Sequence, residues 1–338
     1  MQLQILQMTK KIDTTLDSKF AYPYKQSKFV PPNDYCLLIM GQSVLSINEY
    51  LENFPNEPLP SGWSAYWGIT EFKGVKEYFL NEVSSDNDHQ MLVDRFPNAV
   101  IQSALWMVGA EGICENVPKG KYDDVLKKFA DWAKSVTVPI YLRIGYEFDG
   151  AHNELEPKDY VKAYKHIVDF LRKEQVNNIA YVWHSYASKP YKDYQITDWY
   201  PGDEYVDWMA ISVFGHAYYN TDFGEYCDAV LDLAIDYKKP VMIAECNPIG
   251  GIDSKDDSVW NDWFVNFFSF VYNKNIKAIS FINEDWQRLT IDGLSEWKDA
   301  RLYNNNKVAK KWFKEVNKPK YLKESKDLFD QLDFPIKK

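Results

Sequence analysis

The stretch YLRIGYEFDG, residues 141–150, follows Pro139 and contains mostly residues that favour β-strands. Its alternating pattern predicts a buried strand that stops where Glu147 and Asp149 begin. A helix with an apolar stripe precedes it in residues 122–136. A carboxylate placed directly after an apolar strand requires either a structural partner or a chemical role.

The alternation of strand and helix continues along the chain. The segments with strand character are DYCLLIMGQ (34–42), GWSAYWGIT (62–70), NAVIQSALWMV (98–108), VPIYLRIGYE (138–147), NNIAYVWHS (177–185), EYVDWMAISVF (204–214), KPVMIAEC (239–246) and IKAISFIN (276–283). Most of them precede a segment with helical spacing. Such alternation implies parallel strands with helices outside, and eight units close into a single (β/α)8 TIM barrel of the α/β class.

Two of the eight units have a less regular pattern. In the second, residues 74–83 and 89–96 are each expected to be helical, and in the fifth, residues 189–204 are expected to be mostly loop. No linker rich in Gly, Ser or Pro divides the chain. We assign residues 1–33 to an N-terminal extension that packs on the barrel, 34–318 to the barrel and 319–338 to a C-terminal tail.

Composition narrows the classes of function. The formal net charge is -10 and no long Lys/Arg block occurs, which argues against a nucleic-acid partner. No apolar run approaches the roughly 20 residues that a membrane span requires. The four cysteines are scattered without C-x-x-C spacing, so buried thiols are favoured over disulfides. No His/Asp cluster has ligand spacing, and we expect neither a metal nor a cofactor. The compartment and the oligomeric state stay open.

In a barrel of this kind the functional residues follow the carboxyl ends of the strands. Glu147 ends the fourth predicted strand, and Glu245 lies near the end of the seventh. Two carboxylates that face each other across a cleft are the arrangement used in glycoside hydrolysis. The structural alternative for each is a helix cap or a salt bridge.

Further polar and aromatic residues lie near the same ends. The chain contains 12 Trp, 24 Tyr and 19 Phe, and aromatic planes stack on the apolar faces of sugar rings. Arg143 has the same barrel-facing parity as Glu147, so its guanidinium is expected to hold a carboxylate. The candidate substrate-binding residues are Arg143, Tyr146, Asp149, His184, His216, Tyr218, Trp286, Trp67 and Gln42.

The succession MGQ, GWSAYWGI, PIYLRIGYEFDG, YPGDEYVDWMAISVF and KPVMIAEC resembles glycoside hydrolase family 26 and its relatives in clan A. The resemblance extends from about Asp34 to Trp312. It implies an endo-acting β-glycanase that retains anomeric configuration, with Glu147 as acid/base and Glu245 as nucleophile. It also implies a polysaccharide or oligosaccharide substrate.

Two departures from the family pattern leave the substrate open. Family 26 mannanases usually carry His immediately before the acid/base and Asn two residues after it, where this chain has Tyr146 and Asp149. Clan members also place a Tyr near strand six that hydrogen-bonds the nucleophile. Tyr218 is expected to do so here, with His216 beside it, although Phe214 lies at the more direct position. Mannan, mixed-linkage glucan, xylan and sulfated galactan all remain candidate substrates.

Two other readings stay open. The first is a carbohydrate-binding or transglycosylating barrel protein without net hydrolysis, although the presence of both glutamates argues against an inactive relative. The second is a different barrel chemistry, such as an acid/base isomerase or a metal-dependent hydrolase. It would require a lysine base, a glycine-rich phosphate loop or clustered histidines, and only Gly250 and Gly251 hint at such a loop.

Overall fold

Eight parallel strands close into a barrel in the computed structural model of the chain, which describes residues 10–80, 85–189, 192–214, 221–289 and 293–335. The strands are β1 (Cys36–Gly41), β2 (Gly62–Gly68), β3 (Val100–Trp106), β4 (Ile140–Ile144), β5 (Ile179–Ser185), β6 (Trp208–Val213), β7 (Val241–Cys246) and β8 (Ala278–Ile282). Each pairs with the next along the chain. Leu37 of β1 lies opposite Ala278 of β8, which closes the barrel and confirms the predicted fold.

Helices surround this barrel. The described helices of seven residues or more are α1 (Val44–Asn53), α2 (His89–Arg95), α3 (Asp123–Ser135), α4 (Pro157–Lys173), α5 (Thr221–Tyr237), α6 (Val265–Asn273) and α7 (Asn306–Val316). Their starts follow ordinary capping chemistry: the side chains of Ser43, Asp88 and Asn305 accept hydrogen bonds from the first turns of α1, α2 and α7. No helix in the described ranges is long and apolar enough to span a membrane.

The second and fifth units differ from a regular strand–helix pair. The helix predicted for residues 74–83 is wrong in its described part, because Phe79–Leu80 pairs antiparallel with Asp86–Asn87. The side chain of Asn87 accepts a hydrogen bond from the backbone N–H of Tyr66, which ties this hairpin to β2. In the fifth unit the described part of residues 189–204 contains only short 3-10 turns, as expected for a loop.

The N-terminal segment covers the barrel at the amino ends of the strands. The hydroxyl of Tyr141 and the indole N–H of Trp208 donate to the carbonyls of Phe29 and Lys28. The buried ammonium of Lys277 donates to Pro32 and Asn33 carbonyls, each at 2.7 Å. These contacts hold described residues 20–33 against the end of the barrel opposite the site.

The cysteines and the C-terminal tail are the remaining features of the fold that the sequence addressed. All four cysteines are buried free thiols, as predicted. Near the C-terminus, Tyr321–Leu322 pairs with the start of β1, and the ring of Phe334 contacts Phe29 at 5.3 Å.

Candidate active site

Strand β4 ends at Ile144, three residues before Glu147. The chain then turns through left-handed conformations at Gly145 (φ +55°) and Glu147 (φ +54°). A side chain at 145 would lie 2.9 Å from the ring of Tyr160, so glycine is required there. A non-glycine residue with positive φ is strained and persists where the surroundings hold it. Here the Glu147 N–H donates to the carbonyl of His184 at 2.7 Å.

Glu245 lies within β7 and is almost completely buried. Its Oε1 accepts a hydrogen bond from the Tyr66 hydroxyl at 2.6 Å and another from the Arg143 guanidinium at 2.5 Å. Burial raises the pKa of the Glu245 carboxyl, while the positive charge of Arg143 and these two donors oppose the rise. The net direction is upward, and the charge of Arg143 and the two hydrogen bonds limit this rise by stabilising the ionised form of Glu245.

Arg143 is fully buried in the wall of the barrel. Its guanidinium carbon lies 5.1 Å from the ring centroids of both Tyr66 and Tyr146. Aromatic faces stabilise a buried cation, which complements the ion pair with Glu245. The expectation that Arg143 contacts a carboxylate matches this geometry.

Glu147 has different partners. Its Oε1 accepts a hydrogen bond from the Ser212 hydroxyl at 2.5 Å, and its Oε2 lies 2.9 Å from Nε2 of His152. Neither partner carries a permanent charge, in contrast to the arginine at Glu245. The two glutamates thus have distinct electrostatic environments at the same mouth of the barrel.

A chain of hydrogen bonds joins the two glutamates. Arg143 lies 3.2 Å from Nδ1 of His184, and Nε2 of that ring lies 3.0 Å from the Ser212 hydroxyl. Because arginine only donates, Nδ1 accepts and Nε2 carries the proton. Burial, together with the nearby Arg143, holds the pKa of His184 well below its ordinary value, so the ring is neutral. The Nε2–H of His184 therefore donates to the Ser212 hydroxyl oxygen, and that hydroxyl donates in turn to Glu147.

Comparison with known proteins decides the family. The sequence profile of glycosyl hydrolase family 26 matches residues 110–307, more than half of the chain. The chain belongs to glycosyl hydrolase family 26. It is an O-glycosyl hydrolase, as the sequence predicts.

Family 26 relatives and structures are similar over most of the chain. β-1,3-Xylanases from Vibrio sp and Alcaligenes sp are each 25% identical over 334 residues, with 90% of this chain and 69% and 68% of the relatives covered. The catalytic domain of a family 26 endo-β-1,4-mannanase from Bacillus sp. JAMB-750 superposes with a TM-score of 0.63 at 15% identity, covering 96% of this chain and 97% of that one. A family 26 β-mannanase from Bacteroides ovatus gives 0.60 at 15% identity, covering 86% and 91%.

Some predicted substrate-binding residues do lie at this candidate site. Tyr146 is partly exposed and lies beside Tyr66 and His184. Gln42 Oε1 lies 3.1 Å from the Tyr66 hydroxyl oxygen. His184 lies beneath the surface, where it contacts other site residues instead of the cleft.

The structure does not place Asp149 or Trp67 where a sugar could contact them, because both side chains are buried. Asp149 is buried and accepts hydrogen bonds from the Ser185 hydroxyl and the Tyr186 N–H, so it anchors two loops. Trp67 stacks on Phe129 of α3, because odd-numbered residues of β2 face the helices.

The last three predicted residues are less informative. Trp286 is buried in a small aromatic cluster with Trp297 and Phe214. It is therefore covered by its neighbours instead of forming an open platform. His216 and Tyr218 lie outside the described residues.

Three site residues were not anticipated. Tyr66 occupies the barrel-facing parity of β2, which alternation along GWSAYWGI would have revealed. Ser212 follows the same rule on β6. No sequence pattern pointed to His152, since the place of its side chain in the site depends on the turn after β4. In the described part of the chain, no group of three or more His, Cys, Asp or Glu side chains has the geometry to hold a metal ion.

Proposed function

We propose that the chain is a retaining endo-β-glycanase in which Glu245 is the nucleophile and Glu147 the acid/base. The observation that supports this assignment is the contrast between their partners. Glu245 receives two hydrogen bonds, one of them from a permanent cation, which favours the ionised form that attacks carbon. Glu147 faces a serine hydroxyl and a titratable imidazole, which lets it alternate between acid and base.

The reaction proceeds in two steps. Glu245 attacks the anomeric carbon and forms a glycosyl ester while Glu147 gives its proton to the departing glycosidic oxygen. Glu147 then takes a proton from water, the hydroxide attacks the same carbon, and the ester bond to Glu245 breaks. Each step inverts the anomeric centre, so the product retains the configuration of the substrate.

A β-1,3-linked xylan is the first substrate to test. The two curated relatives that match along 334 residues are both named β-1,3-xylanases. The β-1,4-mannanase structures share the fold at 15% identity, which carries no information on specificity. Tyr146 and Asp149, where mannanases usually have His and Asn, agree with a substrate other than mannan.

The test is release of reducing ends from β-1,3-xylan, β-1,4-xylan, mannan and mixed-linkage glucan. Wild-type protein is compared with Glu147→Gln and Glu245→Gln, and with Glu174→Gln at the end of α4 as a control remote from the cleft. We expect activity on β-1,3-xylan that both site variants lose and the control keeps. Proton NMR of the first product should show the β-anomer. Activity that survives both substitutions contradicts the assignment, and an α-anomer contradicts retention.

Transfer to sugar is the remaining alternative. If products longer than the substrate accumulate and depend on both glutamates, the chain is a transglycosylase that uses the same covalent step. Binding to a glycan without any bond cleavage would indicate a binding protein.

A further inference from the structure

His152 occupies the turn between β4 and α4, next to Glu147. Its side chain is 48% exposed, whereas that of Glu147 is 9% exposed. The 2.9 Å contact between Nε2 and Glu147 Oε2 thus lies where the buried carboxyl meets solvent. An imidazole in this place can exchange protons with water on one side and with a carboxyl on the other.

The turn is shaped around this imidazole. A Cβ at Gly150 would lie 2.4 Å from Cε1 of His152, so the ring rests on a residue that has no side chain. On another side the ring meets Tyr186 edge-on, with centroids 5.0 Å apart. The side-chain amide of Asn153 donates to the carbonyls of Tyr146 and Glu147 at 3.0 and 2.9 Å, which fixes the backbone of the turn.

The two oxygens of Glu147 are used differently. Oε1 accepts from Ser212, whose hydroxyl is oriented by the buried and neutral His184. That arrangement leaves Oε2 as the oxygen that can gain or lose a proton. In the described part of the chain, His152 is the titratable side chain hydrogen-bonded to Oε2.

The charged groups around the pair favour a proton on it. Glu245 and Asp149 are the anions nearby, and the cation Arg143 is already paired with Glu245. Tyr186 and Tyr146 are neutral phenols near the pair, because burial and the neighbouring carboxylates raise the pKa of each. Burial lowers the pKa of His152, but the hydrogen bond and the charge of Glu147 outweigh this effect and the net direction is upward.

We propose that His152 is a positioning residue that shares one proton with Glu147 and thereby keeps the acid/base loaded for protonating the leaving group. The inference rests on the proposed function of Glu147. In the loaded pair the proton moves from Nε2 of the imidazolium to Oε2, which leaves a neutral imidazole beside a carboxylic acid. Glu147 passes this proton to the glycosidic oxygen and regains one from water in the second step, so no other reactant is needed.

The kinetic consequence is a shift of the basic limb of the pH profile. A shared proton is lost only when the whole pair deprotonates, at a higher pH than for the carboxyl alone. His152→Gln keeps a hydrogen-bond donor but cannot titrate, so the basic limb of kcat/KM should move to lower pH. The acid limb, which reports the ionisation of the proposed nucleophile Glu245, should stay unchanged.

Two companion variants sharpen the test. Gly150→Ala keeps the imidazole but displaces it from the turn, and should lower the basic limb in the same direction. His166→Gln is the matched control, because His166 also pairs with a carboxylate, Asp123 at 2.7 Å, on the outer helices. It should leave the profile unchanged. Substrates with an activated leaving group need little acid assistance, so His152→Gln should slow them less than the natural glycan.

The experiment combines these profiles with an NMR titration of the histidine rings that does not depend on activity. His152 is assigned by the signal lost in His152→Gln, and its pKa should fall in Glu147→Gln, because the hydrogen bond and the charge that raise it are removed. If the pKa of His152 is the same in Glu147→Gln as in wild type, the inference is overturned, whatever the activity. A His152→Gln enzyme that is slower at every pH with unchanged limbs overturns it as well. If no glycan is cleaved yet the NMR coupling is present, the proposed function fails while the proton-sharing pair stands.

Discussion

The hydroxyl oxygen of Tyr66 lies 2.6 Å from Oε1 of Glu245, although 179 positions separate the two residues in the chain. The family pattern led us to expect a tyrosine near strand six in this place. In this chain the residue at the direct position on that strand is Phe214, whose ring packs on Trp297 at 4.5 Å. Strand β2 supplies a phenol to Glu245, and Tyr218, the residue expected in this role, lies outside the described residues.

Replacing Tyr66 by Phe should therefore slow the formation of the glycosyl ester. A hydrogen bond to a charged group contributes about 1.5–3 kcal/mol, which corresponds to a loss of roughly tenfold to a hundredfold in kcat/KM. Tyr164→Phe is the matched control, since the buried hydroxyl of Tyr164 has no hydrogen-bond partner among the described residues. Equal rates for Tyr66→Phe and wild type would show that the phenol does not support Glu245.

Asp149 predicts a specific dependence of stability on pH. Burial raises the pKa of its carboxyl to about 6 despite the hydrogen bonds from Ser185 and Tyr186. The folded protein therefore binds a proton that the unfolded chain releases between about pH 4 and 6. The contribution of Asp149 to stability is greatest below this window and is lost as pH rises through 6, by about 3 kcal/mol.

Urea unfolding of wild type and Asp149→Asn at pH 4, 5, 6 and 7 measures this effect. The difference in the free energy of unfolding between the two proteins should change by about 3 kcal/mol across the series, in favour of the variant at high pH. Asp131→Asn, an exposed residue of α3, serves as the control. A difference that is flat with pH would mean that Asp149 has an ordinary pKa in the folded state.

The sequence was sufficient for the barrel because alternating strand and helix patterns depend on local spacing. It also indicated Glu147 and Glu245, since a carboxylate after an apolar strand is visible without tertiary contacts. It did not indicate His152, because that side chain reaches Glu147 only through the left-handed turn at residues 145–147. The roles of the other residues near the strand ends depend on the register of each strand, which determines whether a side chain faces the site or the helices.

Trp67 illustrates that last point. Both Tyr66 and Trp67 lie near the end of β2, and only the register tells that Tyr66 faces Glu245 while Trp67 faces α3. Composition alone favours the larger aromatic as the sugar platform. Trp106, at the end of β3, is exposed, with 44% of its surface accessible.

Opposite outcomes are expected for these two tryptophans. Trp106→Ala should raise KM for the glycan by about fivefold, because a stacking surface of about 1 kcal/mol is lost, and should leave the melting temperature unchanged. Trp67→Ala should lower the free energy of unfolding by about 3–5 kcal/mol through the cavity it leaves. Steady-state kinetics and urea unfolding of both variants distinguish the roles. A large rise in KM for Trp67→Ala at unchanged stability would mean that Trp67 contacts the glycan in the cleft.

The N-terminal extension should behave as part of the folded barrel. Phe29 is buried between Tyr141 and Phe334, and its carbonyl accepts the Tyr141 hydroxyl. Phe29→Ala removes the ring from this contact and should cost about 3–5 kcal/mol of stability while unfolding remains one transition. Leu16→Ala, from the same segment but 45% exposed, should change stability by less than about 0.5 kcal/mol. If Phe29→Ala were as stable as wild type, or if a separate transition appeared, the extension would be an independent appendage.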